Sequence, residues 1–399
     1  MRGLFVLFSV AAGLSVANIY YAQPLLDQMS LSLGISHAAI GVAITLTQIG
    51  YAFGLFFLVP LGDIINRRWL ISSHLGLSSI MLLFVATSSN SWVLFGALIG
   101  VGLLAVVIQT LVAYAATLSS PEHAGRAVGT VTSGVILGIL LSRTAAGVIS
   151  DAFGWRTVYL FSAACTFLMS LLLFKLLPQR DEKAALPYFE LLKSTVMIFL
   201  DEPLLRLRAS FCFLIFATFS CFWTPLVLPL SAPPFMFSHT QIGLFGLAGA
   251  VGALIATKAG RLTDKGLGNE TTGLSLFLLI LSWILISRLY SSVSVLVIGV
   301  ILMDLAIQAV HVTNQSMIFK LRPGSQSRIV ATYMIFYSLG SGVGAITSTV
   351  MYSAFGWTGV CLLGGVFSGF GFLLWLTIPH PQSTSKISEY PVFQNPKPQ

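Results

Sequence analysis

Twelve mainly apolar runs follow one another along the chain, roughly at 3–23, 37–60, 69–88, 91–116, 126–149, 155–177, 205–230, 240–258, 271–289, 292–318, 328–350 and 355–378. A helix of about 20 apolar residues is what a bilayer core requires. Each run is continuous, whereas a barrel strand would be shorter and would alternate in polarity. The pattern therefore predicts an all-α membrane protein with twelve spanning helices. Two stretches break it. Residues 178–204 hold prolines and mixed charges, and predict a cytoplasmic linker with an amphipathic helix on the membrane surface. Residues 379–399 are polar and proline-rich, and predict a disordered cytoplasmic tail. The predicted units are thus a six-helix bundle over 1–177, the linker, a second six-helix bundle over 205–378, and the tail.

The two bundles repeat each other. "SHAAIG" at 36–41 returns as "SHTQIG" at 238–243, and "FGW" at 153–155 returns at 355–357. Asp63 answers Asp264, Pro121 and Arg126 answer Pro323 and Arg328, and Gly138 answers Gly340, all 201 or 202 residues later. Parallel repeats of six spans, related by an axis along the membrane normal, build alternating-access transporters with the substrate site between the halves.

Composition agrees with this reading. The chain is 56% hydrophobic and 9% charged, against about 25% charged in a soluble domain. The formal charge of +8 could suggest a nucleic-acid partner. However, 18 of the 21 basic residues fall on one side of the predicted spans. That is the positive-inside signature of a cytoplasmic face, so both termini are expected there. No loop is long enough for a nucleic-acid domain. Cys165, Cys212, Cys221 and Cys361 lie in apolar runs without a C-x-x-C, and read as packing rather than as metal ligands. No H-E-x-x-H, G-x-S-x-G or phosphate-loop Gly-Lys is present, so no enzyme, cofactor or metal is expected.

Between spans two and three stands "VPLGDIINRR" (59–68), and the second half offers "GRLTDKGLGN" (260–269). Asp63, Arg67 and Arg68 in the first, and Gly260, Asp264, Lys265 and Gly266 in the second, resemble the loop signature of the major facilitator superfamily. Val59, Ile64 and Asn66 depart from it. A carboxylate at a helix end attracts the helix dipole and nearby arginines, and the resemblance implies a latch that holds the two halves in one access state. "NIYYAQPLL" (18–26) and "GILLSRTAAGVISDAFGWR" (138–156) are similar to the bacterial branch near drug–proton antiporters and sugar-efflux permeases. The resemblance implies the two-times-six fold, residence in the bacterial inner (plasma) membrane, and secondary transport of a small organic solute. Proton-coupled efflux is the first expectation. Proton-coupled uptake of a polar or anionic metabolite, or a transport-dead membrane sensor, is the alternative. The expected partners are the solute, protons and the lipid bilayer, with the chain a monomer. Antiporters of the superfamily carry G-x-x-x-G-P-x-x-G-G in span five; here Gly134 and Gly138 remain, and Ile139, Ser142 and Arg143 replace the rest.

Two charges lie deep in the spans, Arg143 in span five and Asp304 in span ten. A charge at the bilayer centre costs roughly 2.5–3.5 kcal/mol on insertion scales, so both should face the protein interior. Their repeat partners are Ala345 and Gly102, so the fold itself does not require the charges. Asp304, Gln308, His311 and Gln315 share one helix face and form a polar column running toward the linker side. Span four offers Gln109 in register with His311, span one offers Tyr21 and Gln23, span two Gln48, and span seven Trp223 in register with Tyr21. These ten residues are the candidate substrate and proton site. Arg143 is expected to pair either with Asp304 or with substrate, across a depth mismatch of about 8 Å at 1.5 Å rise per residue.

Overall fold

The computed structural model describes residues 2–120, 123–178, 187–256, 258–322 and 326–378. The tail, most of the linker before Pro187, and the repeat partners Pro121 and Pro323 lie outside the described residues, as do the side chains of Asp63 and Lys258. All the regular elements described are helical. Nine single helical runs are long and apolar enough to cross a membrane: spans one to seven (Gly3–Leu33, His37–Gly62, Arg67–Thr87, Ser91–Leu118, Gly125–Phe153, Trp155–Leu176, Pro203–Ser231), nine (Gly268–Ile286) and ten (Val293–Ile318). Span eight is the shorter His239–Ile255. The last run, Gln326–Leu376, contains spans eleven and twelve, separated at Gly356 (φ 63°, ψ −155°). Twelve spans result, as the apolar pattern predicts.

The repeat extends to backbone detail. Gly154 (φ 82°) separates spans five and six as Gly356 (φ 63°) separates eleven and twelve, both in the "FGW" triplets, where a left-handed turn favours glycine. Spans one and seven each break near their far ends, at Tyr21–Ala22 before Pro24 and at Thr224–Leu226 around Pro225. Proline supplies no N–H to continue the helical ladder. After the break, span one resumes as Leu26–Leu33 and ends on Gly34 (φ 65°). It is therefore ten residues longer than its apolar run, because "LDQMSLSL" is an interfacial turn of helix rather than a loop. A Cβ on Gly50 would come within 2.1 Å of the Ile99 carbonyl, and one on Gly252 within 2.3 Å of the Ile301 carbonyl. Both residues of each pair are 202 apart from their counterparts, so each half brings two helices into backbone contact at the same place.

The halves meet along two seams. Span two packs on span eleven, where Thr45 Oγ1 donates to the Gly342 carbonyl (2.8 Å) and Thr349 Oγ1 to the Ala38 carbonyl (3.1 Å). Span five packs on span eight, where Thr144 Oγ1 donates to the Gly243 carbonyl (3.1 Å). Both seams lie toward the face opposite the linker, here the far face. The linker helix Tyr188–Asp201 buries Leu191, Thr195 and Ile198 along one side. It is tied to span eleven by Arg328 Nη1 donating to Ser194 Oγ (2.7 Å) and to span two by Tyr188 donating to the Phe57 carbonyl (2.8 Å). Outward-facing Phe161, Phe167 and Leu168 of span six are at least half exposed, as helices solvated by lipid rather than water allow.

Candidate functional site

Span five runs four residues past its apolar stretch, through Ser150 and Asp151 to Phe153. Arg143 therefore lies ten residues from the far end of its helix, and Asp304 eleven from the start of span ten at Val293. At 1.5 Å per residue the two sit about 15 and 17 Å deep, nearly level. The 8 Å mismatch expected from the apolar runs disappears, because a polar helix end carries no hydropathy signal.

Arg143 is 4% exposed and Asp304 6%. Among the described residues no salt bridge within 4 Å joins them. Instead, Arg143 Nε and Nη2 both donate to Gln23 Oε1, at 3.0 and 2.8 Å. The break in span one turns Gln23 inward to make this contact. The guanidinium lies 4.2 Å from the ring centre of Trp223, 5.1 Å from Tyr20 and 5.6 Å from Phe219. A desolvated cation over an aromatic face gains about 2 kcal/mol. Trp223 Nε1 in turn donates to Asp304 Oδ1 at 3.5 Å. One indole thus holds the cation on its face and the anion at its edge. Gln23 and Arg143 come from the first half, Trp223 and Asp304 from the second, and a narrow cleft lined by Gln23, Arg143, Trp223 and Leu226 opens between them.

Three participants were not in the sequence expectation. Tyr20 and Phe219 complete the aromatic cage. Gly249 of span eight leaves room for the carboxylate: a Cβ there would come within 1.9 Å of Asp304 Oδ2. Aromatic and glycine residues are common in apolar spans, so nothing marks these out before the helices are assembled.

Below the cage, toward the linker face, the Tyr20 and Tyr337 hydroxyls share a hydrogen bond between the halves. Tyr51 packs edge-on to Tyr337, and Gln109 Nε2 donates to Tyr51 Oη at 3.4 Å. His311 Nδ1 meets Tyr333 Oη at 2.9 Å inside the second half, away from Arg143. Gln308, His311 and Gln315 continue half-buried beneath buried Asp304. Tyr21 packs against Tyr159 of span six, inside its own half. Gln48 lies against Gly342 on the span two–eleven seam. Of the ten candidates, Arg143, Gln23, Trp223 and Asp304 converge on one point. Gln109 joins the tyrosine layer, and the others line its surroundings or their own bundle.

The loop residues lie at the linker face. Arg67 donates to the Gly62 carbonyl (3.2 Å) and Thr117 Oγ1 (2.7 Å), and Arg68 stacks 4.4 Å from Phe174. In the second half exposed Asp264 meets Lys320 at 3.4 Å, Gly260 faces Val312, and Gly266 turns the chain after Lys265 with φ 86°. These contacts fall within each half.

The sequence model of the Major Facilitator Superfamily matches residues 5–274 and 210–392. The chain belongs to the Major Facilitator Superfamily. As a major facilitator it is a membrane transporter rather than an enzyme. It is 44% identical over 382 residues to the uncharacterized transporter YgaY of Escherichia coli O157:H7, covering 96% of this chain and 97% of that one. It is 30% identical over 272 residues to the inner membrane transport protein YnfM of Escherichia coli K12, covering 66% and 64%. Among solved structures, a bacterial homolog of the human lysosomal transporter Spinster, inward-facing and unoccupied, superimposes with a TM-score of 0.77. The identity is 15%, over 94% of this chain and 96% of that one. At that identity the likeness concerns the fold.

Proposed function

We propose that this major facilitator is a proton-coupled secondary transporter for a small polar or anionic organic solute. The linker face is cytoplasmic, and the inner membrane is its place of work, as for YnfM. One observation carries the reading. Two buried charges from opposite halves meet around Trp223 without a salt bridge between them. A permanent structural pair would close directly, since separation in a medium of low dielectric wastes its attraction. Groups left apart at the interface are free to take new partners when the halves move.

Charge balance sets the coupling. The empty site, Arg143 cation and Asp304 carboxylate, is neutral. An anion that replaces Gln23 on Arg143 makes the site negative, and one proton on Asp304 restores neutrality. Anion and proton then travel together, which under an acid exterior is uptake. Export in exchange for a proton is the second reading, favoured by the similarity of span one and span five to efflux members. Proteoliposomes with a bacterial metabolite extract on both sides of the membrane separate the two. An acid-outside gradient is expected to accumulate an organic anion, read by mass spectrometry of the lumen. Depletion of that solute under the same gradient would establish export. No solute responding to either gradient polarity would refute coupled transport.

A further inference from the structure

At the far face, span eight begins with His239, the histidine of "SHTQIG". Its ring is flanked by two carboxylates of the other half. Nε2 lies 3.0 Å from both oxygens of Asp27, in the helix Leu26–Leu33 that ends span one. Nδ1 lies 3.1 Å from Asp151 Oδ1, near the end of span five. Asp151 also caps span eight from across the seam. Its Oδ1 accepts the His239 N–H (3.0 Å), and its Oδ2 accepts the Thr240 N–H (2.8 Å) and Thr240 Oγ1–H (2.6 Å). A carboxylate on the first N–H groups of a helix is a favoured arrangement. Here donor and acceptor belong to halves that must separate for the far face to open.

The repeat supplies a control. His239 is in register with His37, which is exposed at the start of span two. Where partners matching Asp27 and Asp151 would stand, the second half has Pro229 and Ser353. A histidine at this helix start is thus shared by both halves, but only one of the two is given acids.

We propose that His239 is the gating residue of the far face: as an imidazolium it clasps Asp27 and Asp151, and loss of its ring proton is the step that lets the far side open. This transport role goes beyond the solute and proton site proposed above and does not depend on the solute. The proton requirement follows from geometry. A neutral imidazole has one N–H, so one ring nitrogen would present a lone pair to a carboxylate oxygen about 3 Å away. The neutral ring has one fallback. Gln28 Nε2 stands 3.2 Å from Nδ1, with its own Oε1 held by Ser150 Oγ (2.8 Å). That ring keeps Asp27 through Nε2–H, accepts from Gln28, and gives up the attraction of Asp151.

The sign follows. The far-closed state holds a proton that the far-open state releases, so low pH favours closure and rising pH favours opening. The other titratable groups on elements packed against span eight are Arg126 and Arg143 on span five and Asp304 and His311 on span ten. Exposed Arg126 stands at the linker end of span five, 25 residues from Asp151 and about 38 Å away. Arg143 lies eight residues deeper than Asp151, about 12 Å, and Asp304 lies beside Gly249, ten residues below His239 and about 15 Å deeper. The short turns Gln23–Leu25 and Val227–Ser231 carry no titratable side chain. The groups that face the ring are therefore Asp27 and Asp151.

The test needs no transported solute. Spin labels at the exposed far-face positions Leu31 and Phe355, in a chain whose four cysteines are replaced by alanine, report the separation of the halves by pulsed dipolar spectroscopy. The proposal predicts one short distance at pH 5.5 and a longer population growing by pH 8.5, the closed-to-open ratio falling roughly tenfold, as the loss of one charge-assisted contact implies. His239→Gln and Asp151→Asn should each show the longer population already at pH 5.5 and respond little to pH. Thermal unfolding of each variant checks that it remains folded. A wild-type distribution that does not change with pH, or a His239→Gln response equal to wild type, overturns the clasp. Either result would leave solute transport standing, and a failed transport assay would leave these distances standing.

Discussion

Arg143→Ala is expected to reduce solute transport by roughly 30-fold or more while the protein stays folded. Removing one member of a buried charged hydrogen-bonding set costs about 2–5 kcal/mol of interaction, with about 1.4 kcal/mol for each tenfold change. Arg143 holds Gln23 through two donors and stacks on three aromatic rings, so a solute bound in their place loses its main anchor. Folding should survive because the pseudo-equivalent position already holds a buried alanine, Ala345. Arg143→Lys should not restore full activity, since a point charge cannot reproduce the planar fork or its stacking. Uptake by proteoliposomes checks the first statement and thermal unfolding in detergent the second. Transport near wild type in Arg143→Ala would remove the residue from the site.

The largest effect on stability is expected at the paired helix crossings. Gly50→Ala and Gly252→Ala should each cost about 3 kcal/mol, the upper part of the over-packing range, because the obstructing atoms are backbone and cannot rotate away. The Ile99 and Ile301 carbonyls would lie 2.1 and 2.3 Å from the new methyl carbons. Gly96→Ala and Gly365→Ala, where nothing lies within 4 Å, are the controls. They should be neutral or slightly stabilising, as alanine favours helix. Similar unfolding temperatures for all four variants would contradict the packing described.

The spans were legible because lipid solvates them: apolar runs as long as a bilayer is thick have one solution in a membrane. The repeat was legible in short matches such as "FGW", where a left-handed glycine recurs for a backbone reason. Helix ends were less so. "LDQMSLSL" after Pro24 and "SD" after Ile149 are polar, yet both are helical, because interfacial residues there cap and bridge neighbouring helices. Arg143 therefore lies deeper than its apolar run suggests, because span five continues to Phe153. Asp304, Arg143, Gln23 and Trp223 stood out as polar or amphipathic groups within spans. Tyr20, Phe219 and Gly249 did not, since their role is to surround a charge rather than to carry one. His239 was visible only as a repeat anchor. Its acids lie 212 and 88 residues away in sequence, and no spacing rule connects them.

Asp304 is proposed to couple solute movement to protons at a site shared by the two halves. Asp304→Asn in proteoliposomes tests it most directly, with the solute found by the metabolite screen. Gradient-free exchange of labelled for unlabelled solute should continue, while accumulation driven by a pH gradient should be lost. Gradient-driven accumulation equal to wild type in Asp304→Asn would contradict it.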